Sequence, residues 1–191
     1  MNRQYPVSDE ALIKAAQSGD REAAAWLYHR HVDRTHRICY RIVLDASQVQ
    51  DCVQEVWLKV FGNLDRFKSE KSFVAWLNTI TANTAIDYYR KLTRQKNLRD
   101  INEIHEKTLT AIKPSETKQH DEALIQQHIR EALEDISVNQ RTAFVMRYFE
   151  DMPTAEIART LGCAEGTVRV HISRSLLALR NKLALKFNKQ G

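Results

Sequence analysis

The stretch TAEIARTLGCAEGTVRVHISRSLLALR, residues 154–180, contains two helical patterns separated by Gly162. The apolar residues that recur at helical spacing on both sides of this glycine are Ile157, Leu161, Val168, Ile172, Leu176 and Leu179. A glycine in this place is typical of the left-handed turn that ends a short helix. The second pattern carries Arg169 and Arg174 on its outer side. The stretch therefore predicts a helix-turn-helix whose second helix enters a DNA major groove. A helical hairpin with a solvated basic face is the alternative.

The composition of the whole chain favours an all-α protein. Of its 191 residues, only five are glycine and three are proline. Alanine, leucine, arginine, lysine, glutamate and glutamine, which favour helices, are abundant. The length suits one domain of moderate size or two small ones.

Basic residues are concentrated in two runs, although the formal net charge is only +5. No aspartate or glutamate occurs in 166–191, and a second basic run extends over 90–99. Solvated faces explain many charge runs. Two basic runs at helical spacing, however, favour contact with phosphates.

Several classes of protein are excluded by what the sequence lacks. Cys39, Cys52 and Cys163 are far apart, which indicates reduced thiols in a cytoplasmic protein, with the first two in a helical core. The cysteines and histidines do not recur at metal-ligand spacing, so no metal or other cofactor is expected. No apolar stretch is long enough for membrane insertion. Neither a P-loop nor a nucleophile constellation appears, so we expect no enzyme activity.

The pattern along the chain predicts two helical blocks joined by a flexible linker. Ser8 and Asp20 are expected to cap the first two helices, and Gly19 separates them. The first block is expected to span 8–95. A polar segment broken by a proline, 96–120, is the predicted linker, and the second block spans 121–187. In the second block, Ser137 and Gln140 form the pattern of a capping box.

The helix predicted over 49–61 has an apolar stripe that ends at Phe61 and an opposite face with acidic and amide groups. That face carries Asp51, Gln54 and Glu55. It is either a solvated face or a protein–protein surface, since carboxylates repel DNA. Acid–base catalysis is disfavoured because neither a nucleophile nor a metal cluster accompanies the carboxylates.

The region that follows combines aromatic, amide and arginine side chains. Phe67 lies in a polar loop, outside the helical periodicity, so it either plugs its own domain or stacks on an unpaired base. The next helix carries Asn78, Asn83, Asp87 and Arg90, which are suited to base edges and phosphates. This combination is typical of a surface that binds single-stranded nucleic acid.

Three motifs together resemble the extracytoplasmic-function (ECF) sigma factors of bacterial RNA polymerase. They are QDCVQEVWLKVFGNLDRF, SFVAWLNTITANTAIDYYRK and RYFEDMPTAEIARTLGCAEGTVRVHISRS. The resemblance implies that 8–95 is sigma domain 2, which binds the β′ clamp helices of the core polymerase and the melted −10 element. It implies that 121–187 is sigma domain 4, which holds the −35 duplex and touches the β flap. An anti-sigma factor is a further implied partner.

The resemblance also assigns individual positions. Asp51, Gln54 and Glu55 match the motif that binds the clamp, and Phe67 and Asn83 match positions associated with a flipped −10 base. The positions matching the −35 site are Arg147, Thr167, Arg169, Val170, Ser173 and Arg174, of which Arg147 and Thr167 are expected on phosphates. Val170 departs from a usually polar position and is suited to a thymine methyl group. Ala164 replaces a common capping serine.

Two other functions fit parts of the sequence. A stand-alone helix-turn-helix regulator would need a dimer surface or ligand pocket in the first block, and its acidic and aromatic helices disfavour this. A nucleic-acid enzyme would need a catalytic constellation that the sequence does not contain.

Overall fold

Regular structure in the computed structural model is helical wherever the chain is described, in residues 8–68, 72–102 and 131–187. Within these ranges we number seven α-helices: α1 Asp9–Gln17, α2 Arg21–Val43, α3 Ala46–Asn63, α4 Phe73–Asn102, α5 Val138–Tyr148, α6 Thr154–Leu161 and α7 Glu165–Phe187. A short 3-10 turn, Leu64–Arg66, follows α3, and residues 131–134 are also helical. The prediction of an all-α protein is confirmed.

Side-chain caps set the ends of the helices where the sequence predicts them. The Ser8 hydroxyl accepts the backbone N–H of Ala11 before α1, and the Asp20 carboxylate accepts two backbone N–H groups at the start of α2. Between these helices, Gly19 has a φ of +90°, a region that favours glycine. Ser137 and Gln140 form the predicted capping box at the start of α5.

Helices α1 to α4 pack into the first block. The apolar faces of α2 and α3 meet in its core, where Leu27, Ile38 and Val56 are fully buried. Cys39 and Cys52 are buried there as predicted, with their Sγ atoms 3.6 Å apart. The contact with Cys52, together with burial, raises the pKa of the Cys39 thiol well above its usual range. This thiol is therefore an inert part of the core.

Helices α5 to α7 form the second block. Gly162 ends α6 with a φ of +63°, α6 packs against α7, and Ile157 of α6 and Val168 of α7 are fully buried. The predicted helix-turn-helix is thus present. None of the helices in the described ranges is long and apolar enough to cross a membrane.

Two apolar side chains predicted to face inward are exposed instead. Phe61 is 38% exposed at the end of the α3 stripe, and Leu176 is 42% exposed on α7. Each lies near the edge of its helix's apolar stripe, where a small rotation of the helix decides whether a neighbour covers it.

Helix α4 extends into the segment predicted as a linker. It continues to Asn102, because residues 96–102 include neither proline nor glycine and several of them favour helix. The rest of the predicted linker, including its proline, lies outside the described residues.

The capping box yields a stability prediction. Ser137→Ala removes the side-chain acceptor for the backbone N–H of Gln140 and is expected to lower the free energy of unfolding by about 1 kcal/mol. Ser137→Asp keeps an acceptor and is expected to retain most of that stability. Urea unfolding followed by circular dichroism compares the two variants. If both variants lost the same free energy of unfolding, a side-chain acceptor at position 137 would contribute nothing to stability.

Candidate nucleic-acid and protein interfaces

The outer face of α7 is a basic surface open to solvent. The predicted −35 residues on this helix are all exposed: Thr167, Arg169, Val170, Ser173 and Arg174. Arg169 makes an exposed ion pair of 3.3 Å with Glu165, one turn earlier. An exposed pair of this kind is worth little, so a phosphate or a base can replace it. The geometry therefore leaves this face available to a polyanion.

The surroundings of this face are also basic or polar. Burial, and then the charge of Arg174, lower the pKa of His171 on the same helix, so His171 is neutral at physiological pH. Arg147, predicted on phosphate, lies at the end of α5 and is exposed. One of its guanidinium N–H groups donates to the carbonyl of Met152 at 3.4 Å, which steadies the loop before α6.

The outer face of α3 is acidic where the sequence predicts it. Asp51 and Gln54 are exposed, and Glu55 is partly exposed and pairs with Lys59 at 3.0 Å. Because the opposite side of α3 fills the core, these groups have no structural task in packing the block. The face continues into Leu58, which is 67% exposed. Leu58 was not identified from the sequence as part of this face. Its spacing of four residues from Gln54 and three from Glu55 nevertheless places it on the same side of the helix.

These carboxylates also act on the neighbouring helix. Tyr88 of α4 donates its hydroxyl to Gln48 of α3 at 3.2 Å. Burial, followed by the charges of Asp51 and Glu55 among others, raises the pKa of the Tyr88 phenol. The phenol thus stays neutral beside an acidic face.

A cleft of about 370 Å³ lies between the end of α3 and the middle of α4. Asn83, one of the predicted −10 residues, lines it. The cleft is also lined by Lys59, Asn63, Arg66, Trp76, Ile80 and Thr84. An aromatic ring, two cations and amide groups around one opening match the chemistry of an unstacked base and its phosphate. The sequence did not indicate Lys59 and Arg66 as members of this site, because one lies in α3 and the other in the 3-10 turn that follows it.

Asp87 and Arg90 continue the surface of α4 from Asn83, at intervals of four and three residues. Both are exposed, and their charged groups are 4.0 Å apart. Arg90 also donates to the side-chain oxygen of Asn139 in the second block, at 3.2 Å. The three side chains therefore share one face, of which one end is engaged by the second block.

Phe67 and Asn78 do not lie on this surface. Phe67 is 7% exposed, and its ring centroid is 5.0 Å from that of Trp76 and 5.7 Å from that of Phe73. Asn78 is 1% exposed and donates to the carboxylate of Glu150 at 3.4 Å. Of the two positions expected for Phe67, the structure therefore agrees with the one in which its side chain fills the core of its own domain. Direct contact of either side chain with DNA requires a rearrangement.

Comparison with known protein families assigns both blocks. Residues 27–95 match the family model of Sigma-70 region 2, and residues 126–179 match that of Sigma-70 region 4. The ECF RNA polymerase sigma-E factor of Escherichia coli K12 is 28% identical over 184 residues, covering 93% of this chain and 95% of that protein. The ECF RNA polymerase sigma factor SigW of Bacillus subtilis 168 is 27% identical over 187 residues, covering 90% and 94%.

Solved structures share the fold. CnrH in complex with the cytosolic domain of CnrY has a TM-score of 0.65 at 22% identity, over 93% of this chain and 97% of that chain. The sigma factor RpoE of Bartonella quintana, in complex with the anti-sigma factor NepR, has a TM-score of 0.64 at 22% identity, over 82% and 94%.

The paired sigma regions place the chain in a known class of transcription regulators. It belongs to the ECF sigma factors of bacterial RNA polymerase. It is an alternative sigma factor that binds core polymerase and promoter DNA and directs transcription initiation.

Substitutions at Phe67 and at Asn83 are expected to differ in their effect on the stability of the first block. Phe67→Ala opens a cavity in the first block and is expected to lower the free energy of unfolding by about 3–5 kcal/mol. Asn83→Ala, at an exposed position, is expected to change it by less than about 0.5 kcal/mol. Thermal and urea unfolding of both variants measures the difference. A Phe67→Ala variant as stable as the parent would contradict its assignment to the core.

Proposed function

We propose that three surfaces of this chain divide the work of transcription initiation. The acidic face of α3 binds the β′ clamp helices of core polymerase, the α4 surface binds the melted −10 element, and α7 binds the −35 duplex. The opposition of charge between α3 and α7 is the observation that carries this assignment. A basic face suits DNA, whereas an acidic face on the same chain repels DNA and needs a different partner.

The proposed domains follow the sequence-based boundaries. Residues 8–95 form sigma domain 2, 121–187 form sigma domain 4, and 96–120 connect them. In the first domain, Asp51, Gln54 and Glu55 contact the clamp. In the second domain, the −35 contacts are made by Arg147, Thr167, Arg169, Val170, Ser173 and Arg174. The second domain also touches the β flap.

The −10 site is centred on the cleft beside Asn83. Trp76 offers a stacking surface, Lys59 and Arg66 neutralise a phosphate, and Asn83 reads a base edge. Asp87 and Arg90 extend this site along α4. Phe67 acts by supporting Trp76 from behind, and Asn78 joins the site only when the second block moves away.

The remaining assignments follow from this function. The chain works in the cytoplasm, where the polymerase is, and it has no enzymatic activity of its own. It needs no metal or other cofactor. The two solved structures of similar fold contain CnrY and NepR, the latter an anti-sigma factor, and we propose an anti-sigma factor as a partner of this chain as well.

Run-off transcription with purified core polymerase tests the proposal. The polymerase is expected to initiate from a subset of promoter fragments only when this protein is added, and the protein alone is expected to bind duplex DNA weakly. Tight binding of DNA by a dimer of the free protein would instead indicate a stand-alone regulator.

Polymerase binding is expected to depend on the α3 face. Combining Gln54→Ala with Glu55→Lys removes polar contacts and reverses a charge without touching the core, so affinity for core polymerase is expected to fall by several kcal/mol. Asp33→Lys, an exposed charge reversal on α2, is the matched control. Fluorescence anisotropy with labelled protein measures the affinities. Equal affinities of the double variant and the control would refute the assignment of this face.

Binding of the −35 duplex is expected to depend on Arg174. Arg174→Ala is expected to cost about 1–3 kcal/mol in affinity of the holoenzyme for promoter DNA, visible already before the DNA opens. Arg180→Ala removes an exposed arginine six residues further along α7, on a different side of the helix. Electrophoretic mobility shifts at fixed salt compare the two. A similar small loss in both would mean that Arg174 contributes only general charge.

A further inference from the structure

The two blocks pack against each other, and α5 is the helix between them. Residues 141–146 of α5 are all buried. Six consecutive residues cover the whole circumference of a helix, so α5 is surrounded. Its neighbours are α6 and α7 in its own block and α2 and α4 in the first block. The two blocks of the chain are therefore docked, with one side of α4 covered.

The loop after α5 makes the polar contacts of this docking. The Glu150 carboxylate, whose side chain is 4% exposed, accepts from Arg34 Nε at 2.6 Å and from Asn78 Nδ2 at 3.4 Å. The neighbouring Phe149 ring lies 4.0 Å from the guanidinium of Arg41. Arg34 and Arg41 are two turns apart on one face of α2. Two consecutive side chains of the loop thus bind two arginines of the first block.

These contacts cover or engage part of the −10 surface proposed above. Asn78 is buried against Glu150, and Arg90 is bonded to Asn139. We infer that Phe149–Glu150 is an intramolecular latch that holds the two blocks together in the free chain and keeps Asn78 and the Arg90 end of the α4 surface from promoter DNA. The docking itself stands on the contacts alone, whereas its inhibitory consequence rests on the proposed function.

A second feature opposes the latch and makes the docked state easy to open. Arg141 of α5 is fully buried at the interface and lies over the Tyr89 ring, 4.5 Å from its centroid. Its Nη1 atom donates to the carbonyl of Leu133 at 3.4 Å, whereas its Nε and Nη2 atoms have no hydrogen-bond partner among the described residues. Burial lowers the pKa of this guanidinium. Separation of the blocks returns the charge to water, so Arg141 favours opening.

A pair of facing threonines allows the docking to be measured. The hydroxyl oxygens of Thr79 on α4 and Thr160 on α6 are 3.4 Å apart across the interface. Cysteines at both positions, in a Cys163→Ser background, place two sulfur atoms within reach of a disulfide when the blocks are docked. Oxidised glutathione joins the two sulfur atoms and leaves as two molecules of reduced glutathione, and the rate at which the bond between positions 79 and 160 forms then reports docking. The same variant in concentrated urea gives the rate for an undocked chain.

The latch predicts how further substitutions change this rate. Disulfide formation is expected to be at least about tenfold faster than in urea, and Glu150→Gln is expected to slow it by about tenfold. Asp151→Asn, which removes an adjacent exposed charge, is the matched control and is expected to leave the rate unchanged. Arg141→Met is expected to accelerate it by about fivefold or more. A rate no faster than in urea, or equal rates for Glu150→Gln and Asp151→Asn, would overturn the latch.

Run-off transcription with the same proteins tests the inhibitory consequence. The oxidised, locked variant is expected to support at least about tenfold less transcript than its reduced form, and a reductant is expected to restore it. The Cys163→Ser parent is expected to respond to neither treatment. Equal activity of the locked and reduced forms would refute inhibition. Fast cross-linking in the variant with the cysteine pair, together with a Cys163→Ser parent that supports no transcription, would instead uphold docking and refute the proposed function.

Discussion

A row of arginines along α2 imposes the constraint on which the arrangement of the blocks depends. One face of this helix fills the core, while Arg30, Arg34, Arg37 and Arg41 recur on another at intervals of four, three and four residues. Like charges at this spacing repel one another, so neighbouring elements have to compensate them. Asp9 of α1 pairs with Arg30 at 2.9 Å, and the loop after α5 supplies Glu150 and Phe149. The helix that organises the first core therefore also attracts the second block.

Separation of charge along the chain then assigns the other faces. The outer face of α3 carries the acidic residues Asp51 and Glu55 and leads to the exposed Leu58, whereas the last helix carries arginine and lysine with no acid after Glu165. A mixture of both signs on one helix would weaken attraction to either partner. Keeping them on different faces lets one small chain bind a protein through one face and a polyanion through another.

The sequence predicted the local features well because they depend on neighbouring residues. The caps at Ser8, Asp20 and Ser137 and the turn at Gly162 all have partners within a few positions, and each is present in the structure. The cysteine core was equally predictable, since helical periodicity fixes which side of a helix is buried.

What the sequence could not predict depends on distant residues. Arg34 and Glu150 are 116 positions apart, and no pattern near either one indicates the other. Phe67 was ambiguous for the same reason: its burial depends on Phe73 and Trp76, across a loop whose path periodicity does not fix. The surface residues Asp51, Gln54 and Arg174 were placed correctly on exposed faces, but their contacts with polymerase and DNA remain proposals.

The burial of Phe67 changes the physical account of the α4 cleft. A loop aromatic free in solvent would have to lose side-chain freedom whenever it stacked on a base. Here Phe67 and Phe73 instead hold Trp76 from behind, and Trp76 is the partly exposed member of the three that lines the cleft. The stacking surface is thus fixed before DNA arrives. Trp76 also borders the groove between the blocks, next to Thr79 and Thr160. The Trp76 side chain therefore lies both at the edge of the docked interface and in the wall of the proposed base site. Separation of the blocks thus opens one side of a site that is already formed.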